Sequence, residues 1–251
     1  MSEPTQFYVG YGRVPTAMQR WLRVVIPGLL VIAGVSLGTF AASQHPFTDS
    51  TFEFGNTTQL SGYYVADPHP ALMVSSAPPQ ATGTPSLSRV HLVGSGKFAA
   101  AIPANPGEFL TVSGTLIERA QQTMLEVIAD SVQLATPATK AALTASVALG
   151  AAELSGEIVD SKCHLGVMKP GDGTAHRACA IRCISGGLPP MLVTRNKTGQ
   201  TDYVLLSDDQ RNVIGAWLLP YVGKPVRVRG TLETRNGATY LNTAETGVTL
   251  L

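Results

Sequence analysis

The sequence is poor in charge: Lys, Arg, Asp and Glu make up 14% of its 251 residues, against roughly 25% in an ordinary soluble domain. The 18 basic and 17 acidic side chains nearly cancel, so the chain lacks the basic excess that holds nucleic acid through phosphate contacts. Aromatic residues are also scarce, at 6%, and few are left to stack on bases. Three cysteines are too few for a disulfide framework and leave one over after pairing. We expect no nucleic-acid partner.

One apolar run is long enough to cross a bilayer. Residues 24–42 carry no charge, and only Ser36 and Thr39 interrupt the apolar side chains. At about 1.5 Å per residue, such a helix matches the ~30 Å hydrocarbon core. The run predicts one transmembrane helix after an N-terminal segment, residues 1–23. A cleaved signal peptide is the alternative, because residues 39–41 resemble a cleavage site, but the run exceeds the usual apolar length of about 7–15 residues.

The flanking charges give this helix a direction. Arg13, Arg20 and Arg23 precede the run, whereas no Lys or Arg follows Ala42 until Arg89. Because positive flanks stay in the cytoplasm, we expect the N-terminus inside and residues 43 onward exported.

Beyond residue 48 the pattern is that of short strands separated by Gly, Pro, Asn and Asp. Ten strands are predicted, at 60–65, 71–74, 89–93, 109–116, 124–128, 154–159, 191–194, 203–206, 226–232 and 240–242. Residues 110–127 and 226–243, at an offset of 116, are identical at seven of their 18 positions. Further upstream, Leu60-Ser61-Gly62 matches Leu154-Ser155-Gly156 at an offset of only 94. The chain therefore contains a repeated unit, with 22 extra residues in the second copy.

We expect a mainly β protein: the N-terminal transmembrane helix, then two OB-like five-stranded β-barrel modules formed by duplication. A small β-sandwich is the alternative. The modules span residues 49–133 and 153–251, joined by an Ala/Thr-rich linker at 134–152 with some helix. Residues 75–88 are expected to form a loose loop, and residues 161–187 a Cys/His-containing helical insertion in the second module.

The insertion holds every cysteine in the chain. A helix predicted at 175–185 places His176, Cys179 and Cys183 on one face, at i, i+3 and i+7. With Cys163 these residues offer a Cys₃His ligand set suited to tetrahedral Zn²⁺. His164 and Met168 are further donors that, with thiolates, favour Cu⁺. A disulfide from Cys163 to Cys179 or Cys183 is the competing interpretation, and a redox-active thiol pair is a third. No C-x-x-C-H occurs, so no covalent c-type haem is expected.

The segments 156–163 (GEIVDSKC) and 176–190 (HRACAIRCISGGLPP) resemble a pattern shared by uncharacterised bacterial membrane-anchored or exported proteins. The resemblance covers about 35 residues and implies a bacterial inner-membrane protein with its bulk in the periplasm. An anchor followed by an exported barrel is also similar to the periplasmic haem chaperone of cytochrome c maturation, but the His-x-x-x-Tyr haem-attachment motif of that family is absent here.

No catalytic site is indicated outside the insertion. Residues 34–38 (GVSLG) match the G-x-S-x-G hydrolase pattern but lie inside the apolar run, with no strand before them. His45, His69 and His91 are isolated, and no H-E-x-x-H, P-loop or dinucleotide-binding pattern occurs. We therefore expect a non-catalytic accessory subunit of a larger bacterial membrane complex, respiratory or redox, bound to integral membrane subunits and to the bilayer. A periplasmic metal- or haem-handling protein that uses the insertion is the alternative, and thiol redox activity is the one enzymatic alternative.

Overall fold

A computed structural model of the chain describes residues 10, 14–44, 50–75, 87–137, 143, 145–196 and 198–251. Most of the predicted loop at 75–88 and part of the predicted linker lie outside these residues. Residue contacts divide the chain into two units, residues 1–47 and 48–251. In the first unit, helix α1 (Thr16–Ser43) has an apolar, exposed surface. It is long and apolar enough to span a membrane, as the uncharged run predicts.

The first half of the larger unit contains a closed barrel of five strands. The strands described there are β1 (Ser50–Phe52), β2 (Thr58–Ala66), β3 (Pro70–Ser75), β4 (Leu87–Val93), β5 (Phe109–Arg119), β6 (Gln122–Val127) and β7 (Gln133–Leu134). The barrel follows the order β5-β2-β3-β4-β6, and β6 pairs back onto β5. Only β4 and β6 run parallel among these pairs.

A second sheet follows the same plan of strand pairing. Its strands are β8 (Val147–Asp160), β9 (Pro190–Arg195), β10 (Thr201–Asp208), β11 (Pro225–Arg235), β12 (Ala238–Thr243) and β13 (Val248–Leu250). Their order is β12-β10-β9-β8-β11-β13, with a further pairing between β12 and β11. The parallel pair is β10 with β12, the counterpart of β4 with β6. All ten strands predicted from the sequence are present.

The registers of the two sheets agree at the offsets found in the sequence. Gly62 pairs with Leu110 in the first sheet, and Gly156 pairs with Val226 in the second. Close backbone approach recurs there: a Cβ added to Gly62 would lie 2.6 Å from the carbonyl oxygen of Met73, and one added to Gly156 would overlap that of Val193. Each glycine therefore allows two strands to approach at the same bend.

The second sheet differs from the sequence prediction at its start. Strand β8 begins at Val147 rather than near residue 153, because residues 147–152 pair with β11. The end of the Ala-rich linker is thus strand, not helix, since cross-strand pairing overrides the helical preference of Ala. In the first sheet the stretch of chain that corresponds to β8 forms two strands, β1 and β2, which are separated by a turn at residues 53–57.

Two helical segments connect β8 to β9, a π-helical turn (Cys163–Val167) and helix α2 (Gly173–Ser185). These segments pack against the closed barrel and against the second sheet. Their buried apolar side chains share one core with both sheets, and its members are Val93, Ile117, Met124, Val159, Cys163, Leu165, Cys183, Leu188, Met191, Leu205 and Tyr240. The insertion is therefore one of the elements that join the two modules into one unit, beside direct contacts such as that of Arg235 with Asp67.

Candidate thiol and metal site

The site begins where β8 ends. Asp160 closes the strand, and its Oδ1 accepts a hydrogen bond of 2.8 Å from the backbone N–H of Cys163. Across the module boundary, the guanidinium of Arg119 donates to the carbonyl oxygen of His164. A Cβ on Gly166 would lie 2.9 Å from the carbonyl oxygen of Thr51. The turn that carries Cys163 is thus held from its own strand and from the first barrel.

Helix α2 supplies the other two thiols. It begins two residues before the predicted start and ends at Ser185, as predicted. Gly187 follows with φ of +92°, a left-handed conformation that glycine adopts without strain and that terminates helices. His176, Cys179 and Cys183 therefore share one face of the helix, and His176 and Cys183 are buried.

The three cysteines lie together. Their Sγ atoms are all within 4.8 Å of one another, and those of Cys163 and Cys183 are 3.9 Å apart. All three are free thiols. Cys163 and Cys183 are 4% and 1% exposed, whereas Cys179 is half-buried. The three cysteines, which span positions 163 to 183, therefore form one thiol cluster, here called the thiol pocket. Its most exposed member is Cys179.

The predicted fourth ligand takes another partner. His176 Nε2 lies 3.0 Å from Asp160 Oδ2, and both side chains are buried. Asp160, Cys163 and His176 form a second close group of donor atoms, which shares Cys163 with the first. The structure thus places His176 beside Cys163 but does not group it with Cys179 and Cys183. The carboxylate of Asp160 holds the imidazole instead.

Of the two further donors named from the sequence, His164 does not join this cluster. Among the described residues, the close groups of His, Cys, Asp and Glu donors leave out His164. The His164 ring is buried near Tyr203, with its Nδ1 3.3 Å from the carboxylate of Asp172. Burial and then the charge of Arg119 lower its pKa to about 4. Met168 is 46% exposed.

A lysine from the first module completes the pocket. Lys97 Nζ lies 2.7 Å from Cys179 Sγ and 3.8 Å from Cys183 Sγ. The hydrogen bond to Cys179 raises the pKa of Lys97. The loop of Lys97 is tied to the end of α2, because Ala99 N–H donates to the carbonyl oxygen of Gly186 at 2.9 Å. Lys97 therefore keeps a positive charge at the mouth of the thiol pocket.

A second lysine fixes the loop that carries Lys97. The Lys162 ammonium, which is buried, donates to the carbonyl oxygens of Gly94 and Gly96 at 2.9 and 2.8 Å. It also lies 3.1 Å from a carboxylate oxygen of Glu126. Its charge is thus paired and hydrogen-bonded, as a buried ammonium requires. This contact links the residue preceding Cys163 to the first barrel.

Sequence reasoning missed three members of the site: Lys97, Asp160 and Glu126. Asp160 stood inside the GEIVDSKC segment, so its position next to Cys163 was a usable signal. No local pattern distinguishes Lys97 or Glu126, because both reach the site from the other module. Only the packing of the two sheets brings them there.

The thiols differ in acidity. The hydrogen bond with Cys183, followed by burial, raises the pKa of Cys163. The same hydrogen bond stabilises the Cys183 thiolate and lowers the pKa of Cys183, with a further contribution from the charge of Lys97. Lys97, 3.8 Å from Cys183 Sγ, thus favours negative charge on Cys183 within this pair. Thiolates of this kind bind soft metal ions and attack disulfides.

Comparisons with known proteins gave no relative: a scan against protein-family models, a search of curated proteins and a search of solved structures each returned no match.

Proposed function

We propose that this chain is a membrane-anchored protein whose exported body holds a soft metal ion, Zn²⁺ or Cu⁺, through Cys163, Cys179 and Cys183. The observation that carries the proposal is the spacing of the three sulfur atoms. Thiolates at about 2.3 Å from a tetrahedral Zn²⁺ are about 3.8 Å apart. The 3.9 Å between the sulfurs of Cys163 and Cys183 matches this value.

Charge balance favours Zn²⁺ over Cu⁺ at this site. Three thiolates around Zn²⁺ leave one negative charge, and Lys97, 2.7 Å from Cys179, supplies the opposite charge. With Cu⁺ two negative charges remain, one of them uncompensated by Lys97. The Asp160–His176 pair lies directly behind Cys163 and orients that side of the site, as second-shell partners do.

Metal analysis of the purified chain tests this proposal. We expect one zinc ion per chain after preparation under reducing conditions and a loss of at least about tenfold in zinc affinity in Cys163→Ser and in Cys183→Ser, because each removes one ligand. Arg182→Met, in the same helix as Cys179 and Cys183 but at an exposed position, is the matched control and should bind zinc like the native chain. A reduced, folded chain that binds neither ion at micromolar concentration contradicts the proposal.

The proposed location is the bacterial inner membrane, with α1 spanning it, the N-terminus in the cytoplasm and residues 48–251 in the periplasm. The arginines before the apolar run support this orientation. We expect alkaline phosphatase fused after Leu251 to be active. Changing Arg20 and Arg23 to Glu while adding lysines at Ser43 and Gln44 should reduce that activity. A reporter that works only in the cytoplasm contradicts the orientation.

An accessory role in a larger membrane complex is the second candidate, and the open edge of β8 favours it. Residues 147–155 pair with β11 on one side, whereas β9 joins β8 only from Gly156 onward. In the part of the chain that the structure describes, no strand covers the other edge, and Val147 and Leu149 are exposed there. Such an edge accepts an extended segment of another protein through backbone hydrogen bonds.

The proposed occupant of this edge is an extended periplasmic segment of an integral membrane subunit. A photo-reactive side chain placed at Leu149 should cross-link to one such segment in membranes. Val147→Lys should abolish the cross-link, whereas Val213→Lys, at another exposed position, should preserve it. Cross-links scattered over unrelated proteins, or unchanged in Val147→Lys, contradict the accessory role.

We also propose that the second sheet is a copy of the first barrel that arose by duplication. The shared offsets in the sequence, the equal registers and the equivalent glycines support this origin. On this view the insertion at 161–187 was added to one copy and became the place where the two copies pack together.

A further inference from the structure

The three cysteines of the cluster differ in their exposure to solvent. Cys179 is half-buried at the mouth of the pocket, and Cys163 and Cys183 lie behind it, almost wholly buried. Cys179 is therefore the most exposed of the three cysteines and the one that an external disulfide meets first. Any thiol chemistry with an external molecule must begin at Cys179.

Lys97 lies against the sulfur of that cysteine. Its ammonium is 2.7 Å from Cys179 Sγ and 3.8 Å from Cys183 Sγ. Negative charge collects on the sulfur atoms during disulfide exchange, and a cation at this distance attracts that charge. Lys97 is therefore a positioning residue for the exchange, and it reaches the site from the other module.

We propose that Cys179 is the entry site of a thiol–disulfide relay that ends in a disulfide between Cys163 and Cys183. The external reactant is a disulfide, R–S–S–R, carried by a small molecule or a protein. The inference uses the sulfurs of the proposed metal site but does not require that a metal binds there. The proposal adds a modification site at Cys179. Oxidation starts at this more exposed sulfur and ends at the buried pair, Cys163 and Cys183.

The relay balances in three steps. The Cys179 thiolate attacks R–S–S–R, the S–S bond breaks, and one RS⁻ leaves and takes a proton as Cys179–S–S–R forms. The Cys183 thiolate then attacks the Cys179 sulfur, and the second RS⁻ leaves and is protonated. Cys163 gives up its proton and attacks the Cys183 sulfur, 3.9 Å away, which releases Cys179 as a thiolate. Two protein thiols are oxidised, and one R–S–S–R is reduced to two R–SH.

The product joins the two sulfurs that already lie in contact. Their separation must fall from 3.9 Å to the bond length of about 2.05 Å, a change of about 2 Å. The new bond would connect the turn at Cys163–Val167 to helix α2. It would also remove two of the three proposed metal ligands, so oxidation and metal binding exclude each other.

The test is the reaction of the full-length, reduced, metal-free chain in detergent with oxidised glutathione, followed by alkylation and mass spectrometry of peptides. We expect the native chain to end with a disulfide between Cys163 and Cys183 and an alkylated Cys179. Cys183→Ser should accumulate glutathione on Cys179. Cys179→Ser, which alters the most exposed of the three thiols, should slow disulfide formation at least about tenfold.

Two lysine variants complete the design. Lys97→Met should slow the attachment of glutathione to Cys179 in the Cys183→Ser background several-fold, and Lys169→Met, another exposed lysine, should not. Unchanged disulfide formation in Cys179→Ser, or glutathione attached to Cys163 instead, overturns the relay. Circular dichroism establishes that each variant is folded. Zinc binding is measured separately on the reduced chain, so the relay and the metal proposal can fail independently.

Discussion

Replacing Arg235 by Met should lower the free energy of unfolding of residues 48–251 by about 3–5 kcal/mol, because it removes the buried cation that pairs with Glu233 and Asp67 and leaves Glu233 paired only with the exposed Arg211. Arg235 is 2% exposed. Its Nε lies 2.8 Å from the Glu233 carboxylate, and its Nη1 lies 2.8 Å from that of Asp67 in the first module. The guanidinium also stacks over the Tyr240 ring, 4.1 Å from its centroid. The loss is measured by urea unfolding.

Arg229→Met is the matched control for this variant. Arg229 belongs to the same strand and also pairs with a glutamate, Glu153, but its side chain is 69% exposed. Solvent screens such a pair, so the urea midpoint of Arg229→Met should stay near that of the native chain. If Arg235→Met and Arg229→Met lost the same free energy of unfolding, burial of the Arg235 ion pairs would contribute nothing to stability.

Leu165→Ala should cost about 2–5 kcal/mol, the range for truncating a fully buried leucine. Leu165 lies in the π-helical turn, is fully buried, and belongs to the core that includes Ile117 of the first barrel and Met191 of the second sheet. If the insertion joins the modules, this single change lowers the thermal midpoint of the whole unit in one cooperative transition.

Met168→Ala provides the comparison for Leu165→Ala. Met168 follows the same turn but is 46% exposed, so its truncation removes little buried contact and should leave the midpoint nearly unchanged. A Leu165→Ala variant as stable as Met168→Ala would mean that the insertion is peripheral to the packing of the two modules.

Local features of the fold followed from local sequence. The ten strands, the helix after Asp172 and the apolar run of α1 are each encoded by residues close together in the chain, where side-chain alternation, glycines and hydropathy act directly. The repeat added long-range information, because the offsets at Gly62 and Gly156 indicated which positions of the two halves correspond, and the registers of the two sheets agree with them. Clustering of the three cysteines followed from one strand end and one helix face.

The remaining features depended on contacts that no local pattern specifies. The sequence alone determined the long apolar helix, the strands and their repeat, and the place of the three thiols in one segment. The tertiary structure decided that Lys97, 82 residues from Cys179, faces the thiols, that Asp160 takes His176, and that β8 extends back to Val147. These outcomes depend on how two barrel-like sheets pack around the insertion, and the energy of that packing is shared among side chains too far apart in sequence to form a readable motif.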